Sequence, residues 1–191
     1  MSQYFFTADT HFGHAAIIRH CQRPFKSIEE MDDTLVANWN SMITPEDIVY
    51  FLGDFAWRNI GEYTKRLNGN IHLIRGSHDK QIGNFSTQFV TVSDLKSVVI
   101  EGIRLVLAHY AMRVWDASHF NSWQLYGHSH CRLKAIGKQL DVGVDGHGFF
   151  PWRFGEIKEY MKMREDNPNY VGRVTTAQDP NQDEDKKYLD K

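Results

Sequence analysis

The chain is poor in cysteine, with only Cys21 and Cys131 among its 191 residues. Two cysteines cannot build the disulfide framework that staples small secreted domains, which points to a reducing compartment. Long apolar runs are also missing: no stretch approaches the ~20 residues that a bilayer-spanning helix requires. The N-terminal "MSQYFFTADTHF" has neither the charged start nor the longer apolar core of a secretory leader, and it is needed for a first strand. Nor is there a charge excess. The formal net charge of −2 speaks against blanket attraction to nucleic acid or an anionic membrane, although a basic groove on one face stays open. A soluble, cytoplasmic protein is the expectation.

The residues that are present suit a globular domain, since 41% hydrophobic and 24% charged residues lie in the ordinary range. One domain over 1–165 is expected, followed by a polar, mobile tail over 166–191 without apolar periodicity. "YFFTA" (4–8) reads as a strand buried on both faces. Ile28, Met31, Leu35, Trp39 and Met42 recur at helical spacing behind a Ser27/Glu30 capping box, which predicts a helix over 28–42. "IVYFLGD" (48–54) and "IHLIRG" (71–76) are further buried strands, with a helix over 59–67 between them. This alternation predicts parallel neighbours. From residue 88 short apolar stretches follow one another, with a hairpin at Glu101-Gly102, a strand in "KQLDVGVD" and a last helix over 154–165.

Histidine is over-represented, with ten residues. Their placement matters more than their number. In open α/β sheets ligands collect beyond the carboxyl ends of the strands. There the chain sets Asp9, His11 and His14 ("ADTHFGH"), Asp54 ("LGDFAW"), Ser77, His78 and Asp79 ("RGSHD"), His109 ("LAHY"), and His128 and His130 ("YGHSH"). Mixed carboxylate and imidazole donors suit Mn, Fe, Zn or Ni better than an oxygen-only Ca or Mg cage. Six or seven donors exceed the need of one tetrahedral ion and suit two ions sharing a carboxylate. Gly53, Gly76 and Gly127 precede donors and permit tight turns where the backbone approaches the ions. A single Asp-x-His or Gly-His-Ser-His arises by chance in many proteins. Five such motifs in order, each behind an apolar run, do not.

Asp-x-His, Gly-Asp, a Gly-x-His-Asp, a lone His and Gly-His-x-His in that order resemble the signature of the calcineurin-like metallophosphoesterases, from residue 5 to about 157. "DTHFGH", "EMDDTLVANWN" and "VGVDGHGFFPW" are similar to a small prokaryotic or phage branch of that superfamily. The resemblance implies a four-layer α/β/β/α sandwich of two mixed sheets. It implies one divalent cation, Mn²⁺ first among the candidates, on Asp9, His11, Asp54 and His130. A second would lie on Asp54, position 77, His109 and His128, with Asp54 bridging. It further implies hydrolysis of a phosphate ester by a hydroxide bridging the ions, with His78 assisting the leaving oxygen and Asp79 orienting His78.

Position 77 departs from the pattern, because the family has Asn there and this chain has Ser. Two accounts stand: natural variation, with water or Ser77 completing the coordination, or an engineered Asn→Ser replacement that quiets the enzyme; either implies a weakened second site. His14 is placed either beside the substrate phosphate or on a solvent-facing loop. Arg23, Arg58, Arg113 and Arg132 lie in loops near strand ends, as phosphate partners or ordinary surface charges. Phe12, Phe55, Trp57 and Tyr110 adjoin donors, either to stack a nucleobase or to fill the core. A small nucleotide-like phosphodiester or phosphomonoester is the expected substrate, acted on by a monomer or homodimer. A nuclease and a non-catalytic phosphate-binding module with a weakened metal site are the alternatives. The nuclease would need a long basic groove.

Overall fold

The computed structural model describes residues 2–172. Strands β1 (Tyr4–Thr7), β2 (Ile48–Phe51) and β3 (Asn70–Ile74) pair in parallel, with Phe5 opposite Val49 and Val49 opposite Ile71. Short β4 (Thr91–Ser93) extends this sheet beside β3, and two-residue β9 (Trp152–Arg153) closes its other edge antiparallel to β1, giving the order β4-β3-β2-β1-β9. A second sheet has the order β5-β6-β7-β8, made of Leu95–Ile100, Ile103–Ala108, Trp123–Tyr126 and Gln139–Asp141. β5 and β6 form the expected hairpin. Glu101 and Gly102 both take positive φ, 51° and 77°, which suits the right-handed twist of two strands joined by a two-residue turn.

Side-chain alternation along the strands divides the core in two. Phe5, Val49, Phe51, Ile71 and Leu73 point to one face and pack under α2 (Ile28–Met42) with Met31, Leu35 and Trp39. Phe6, Tyr50, Leu52 and Ile74 point to the other face and meet Leu105, Leu107, Leu125 and Leu140 of the second sheet. Because successive strand side chains face opposite ways, a continuous apolar run covers both layers at once. α4 (Phe154–Lys162) joins this inter-sheet core through Phe154, Ile157 and Met161. The expected architecture is therefore present: two mixed sheets flanked by helices. The far face of the second sheet carries Gln124 and Gln139, whose side-chain amides donate to the carbonyls of Tyr110 and Met112 in the loop that covers it.

Local signals explain the boundaries. Ser27 Oγ accepts the N–H of Glu30, whose carboxylate reaches back to the N–H of Lys26, so the start of α2 is satisfied from side chains. α1 (Ala15–His20), β9 and a run of 3₁₀ turns over Asp79–Gln88 were not expected from the sequence; α3 (Ile60–Arg66) was. The last helix stops at Lys162 rather than 165. Most of the expected tail lies outside the described residues, but its first part is tied to the body. Asn167 is buried; it donates to the carbonyls of Ser118 and Ser122 and accepts the N–H of Lys138, so ordered chain continues past 165. Among the described residues no helix is long and apolar enough to cross a membrane.

Candidate metal centre

The loops that leave the strands are joined pairwise by backbone hydrogen bonds. Asp9 N donates to Gly53 O and His11 N to Asp54 O, both at 3.0 Å, and Gly127 N donates to His109 O at 3.0 Å. Sequence-distant donors are thereby drawn to one place. Asp9, His11, Asp54, His128 and His130 all have left-handed backbone, with φ between 48° and 67°. Residues with a Cβ rarely adopt that region, and such strain gathers where the surrounding structure holds side chains in a set direction. Gly53 shows how tight the packing is. At φ 91° it has no room for a Cβ, which would fall 2.7 Å from the Gly76 backbone.

Four donor groups result among the described residues, each with its ligand atoms within 4.8 Å of one another: Asp9, His11 and His130; Asp54, His109 and His128; His11, Asp54 and His78; and, sharing His130, Cys21, His130 and Asp145. Asp54 Oδ2 lies 3.7 Å from His11 Nε2, 3.4 Å from His109 Nε2 and 4.0 Å from His78 Nε2. The donors assigned to the two cations by resemblance are therefore neighbours, with Asp54 between them. His78, set aside as a ligand in the sequence, belongs to the same constellation.

Whether this set fits metal ions can be judged from what it leaves unpaired. Asp9 Oδ1, His11 Nε2 and His109 Nε2 are buried without a hydrogen-bond partner. Buried polar atoms are otherwise nearly always bonded, and each orphan is costly. Three converging lone orphans of ligand type, all at strand ends, fit divalent cations. The close packing of these groups shifts their titration in both directions. Burial pushes the Asp9 carboxyl up to about 8 and drives His11 below the usual imidazole range. Burial also works to raise Asp54, but the His109 imidazole, the His78 N–H and His11 outweigh it and hold this carboxyl well below the usual carboxylate range. Burial opposes protonation of His109 as well, and the adjacent Asp54 carboxylate outweighs it and raises the imidazole.

Ser77 and Asp79 hold Asp54 in different ways. Ser77 Oγ donates to the Asp54 carboxylate at 3.1 Å, joined by the N–H of His78 at 2.8 Å. Asp79 corrects the expectation that it orients His78. Its buried carboxylate instead accepts three backbone N–H groups, from Gly76 at 2.7 Å, Asp54 at 2.8 Å and Phe55 at 3.0 Å. Three donors converging at bonding distance claim the carboxylate, so Asp79 staples the β2 and β3 exit loops together and is a positioning residue.

Arg23 is a second correction. It is buried, with its guanidinium donating to the carbonyls of Asp9 and Thr10 at 2.7 and 2.9 Å and forming a fork with Asp145 at 2.8 Å. All its reach is spent on the protein and none is left for a phosphate. Asp145 in turn accepts from His130 Nδ1 at 2.7 Å, which fixes the ring that groups with Asp9 and His11. Asp145 was missed in the sequence. Its signal was present in "VGVDGHG", an Asp just after a strand, but nothing local says that it meets His130. Burial works to raise Asp145, and His130 and Arg23 outweigh it and hold the carboxyl down at about 2.

The remaining candidates divide. His14 stacks on Trp57 at 4.5 Å with its Nδ1 3.5 Å from that of His11, so it stands at the rim of the centre. Arg58 is exposed on the same side, while Arg113 is exposed in the loop after β6 and shares in none of these contacts. Arg132 donates to the carbonyl of His20 at 2.6 Å. Phe12 and Phe55 are fully buried core, whereas Trp57 and Tyr110 are 43% and 51% exposed beside the donors.

Comparison with known proteins identifies the family. A family model described as calcineurin-like phosphoesterase matches residues 3–125. An uncharacterised protein of Methanocaldococcus jannaschii is 38% identical over 166 residues, covering 79% of this chain and 86% of that protein. The gene 66 protein of Mycobacterium phage L5 is 32% identical, covering 78% of this chain and 89% of its own. Among solved structures, a protein of unknown function from Aquifex aeolicus shares the fold with a TM-score of 0.70 at 24% identity, over 84% of this chain and 100% of its own. The chain belongs to the calcineurin-like phosphoesterase family.

Proposed function

We propose that the chain is a dinuclear-metal phosphoesterase that hydrolyses a small, nucleotide-like phosphomonoester or phosphodiester. The observation that carries this reading is the cluster of donor groups gathered around Asp54, in which Asp9 Oδ1, His11 Nε2 and His109 Nε2 are buried without a hydrogen-bond partner. Asp9, His11, Asp54 and His130 would hold one divalent cation, and Asp54, Ser77, His109 and His128 the other, Mn²⁺ being the first choice. Bound there, the ions would neutralise phosphate oxygens and supply an activated water for in-line attack.

The chain's own groups do the rest. The Asp79 staple and the Arg23–Asp145 fork hold the donor loops in their left-handed conformations, so the site is formed before substrate arrives. His78, whose side chain is 40% exposed, lies at the open side of Asp54. There it donates a proton to the departing oxygen as the P–O bond breaks and recovers one from solvent.

The test is turnover of p-nitrophenyl phosphate, bis-p-nitrophenyl phosphate and 2′,3′- and 3′,5′-cyclic nucleotides with Mn²⁺, for the native chain and Asp54→Asn. Metal content is measured in parallel. Hydrolysis by the native chain with two ions bound, lost with Asp54→Asn, supports the proposal. Undiminished turnover by Asp54→Asn, or none by the native chain, refutes it.

A further inference from the structure

A cavity of about 740 Å³ opens directly beside the donor cluster, and Ser77 and His78 form part of its wall. That volume is in the range that accommodates small-molecule ligands, ~300–1,000 Å³. Its other walls include Trp57, Arg58, Lys80 and Gln81, and no carboxylate side chain lines it. Arg58 and Lys80 are exposed, and among the described residues neither takes part in an ion pair. In a chain with net charge −2, two unneutralised cations facing one cavity make a local anion-binding wall.

Trp57 supplies the second element. Its backbone N–H donates to Phe12 O at 2.8 Å, fixing it to the first-strand loop, and His14 stacks on it at 4.5 Å with 12° between planes. The indole is nevertheless 43% exposed, and its centroid lies 5.3 Å from that of His78. A rigid, partly uncovered aromatic beside the residue that faces the leaving oxygen offers a surface for a flat ring. The cations assigned to the donor cluster would neutralise the scissile phosphate. Arg58 and Lys80 are thus left to a different anionic group.

We infer that this cavity receives the leaving side of the substrate, and that this side carries a planar ring against Trp57 and a second anionic group between Arg58 and Lys80. The substrate class is a nucleotide bearing a phosphate other than the scissile one. This rests on the phosphoesterase reading above for its placement of the scissile phosphate.

The test uses the Mn²⁺-loaded full chain and calorimetric binding of adenosine 3′,5′-bisphosphate and adenosine 5′-monophosphate. The base is held constant, and only the second phosphate differs. The native chain should bind the bisphosphate at least about tenfold more tightly, as expected of charge-assisted contacts. In the double variant Arg58→Gln/Lys80→Gln that preference should shrink to less than about threefold. Trp57→Leu should weaken both nucleotides about fivefold or more, and Trp57→Phe should restore most of the loss. Thermal melts of each variant report folding.

No preference in the native chain, or a preference untouched by Arg58→Gln/Lys80→Gln, overturns the inference. Turnover of the p-nitrophenyl esters is read separately. Its absence alongside a retained bisphosphate preference sinks the hydrolase reading and leaves the subsite standing. Turnover without the preference does the reverse.

Discussion

Removing the Asp79 carboxylate should cost stability rather than retune chemistry. The group is buried and accepts three backbone N–H bonds at 2.7–3.0 Å that join the Gly76 turn to Asp54 and Phe55. Bonds to a charged acceptor are worth roughly 1.5–3 kcal/mol each, so the gross contribution is about 5–9 kcal/mol. Desolvating the carboxylate offsets several kcal/mol of that. Consistent with this offset, burial raises the Asp79 carboxyl above its ordinary value despite the three donors. The net loss expected for Asp79→Ala is about 2–4 kcal/mol, since three buried N–H groups lose their partner. In a chain of this length that lowers Tm by roughly 4–16 °C. Asp79→Asn keeps one carbonyl oxygen and should lose about half as much.

The assay is thermal unfolding by circular dichroism at pH 7 on chelator-stripped protein, so that metal affinity does not enter. A Tm for Asp79→Ala within about 2 °C of the native chain would refute the stapling argument. A displaced pH profile of turnover with an unchanged melt would restore Asp79 as the orienter of His78.

Three further outcomes are expected. Ser77→Asn should raise occupancy of the site formed with His109 and His128, and turnover with it, because an amide oxygen reaches further than a hydroxyl; equal metal stoichiometry and rate at saturating Mn²⁺ contradict this. Asp145→Asn should weaken Mn²⁺ at the Asp9–His11–His130 group by about 10–100-fold, the usual cost of losing a ligand's outer partner. Paramagnetic-resonance titration reads that directly, and an unchanged affinity counts against the His130 Nδ1 contact. Asp47 accepts from Gln3 N at 2.7 Å and Thr44 N at 2.9 Å; burial works to raise it, but these bonds outweigh it and hold the carboxyl below its ordinary value. A depressed folded value contributes stability that is full above the ordinary aspartate range and is lost as pH falls through the lowered one. Urea midpoints followed downward from pH 6 should therefore drop less steeply for Asp47→Asn; parallel curves would disprove the linkage.

Much of this molecule was legible in its residues. Apolar runs in β1, β2 and β3 suited strands buried on both faces, and the spacing of Met31, Leu35 and Trp39 suited one covered helix stripe. The candidate donors were legible for the same reason: carboxylates and imidazoles of ligand type each stand at the end of an apolar run, and the fold brings them together. What the residues could not disclose was which charged groups spend their charge on the protein itself. Arg23 and Asp145 are 122 positions apart and meet only because α1 and the turn after β8 converge on His130. Asp79 is adjacent to His78 in sequence, yet it turns away to three amides supplied by two strands' exits. Chemistry of type and order is local and survives in one dimension. Direction, partnership and burial arise only when distant loops are brought into contact, and those decided that Asp79 and Arg23 brace the donor loops while Trp57, Arg58 and His78 line the cavity that opens beside them.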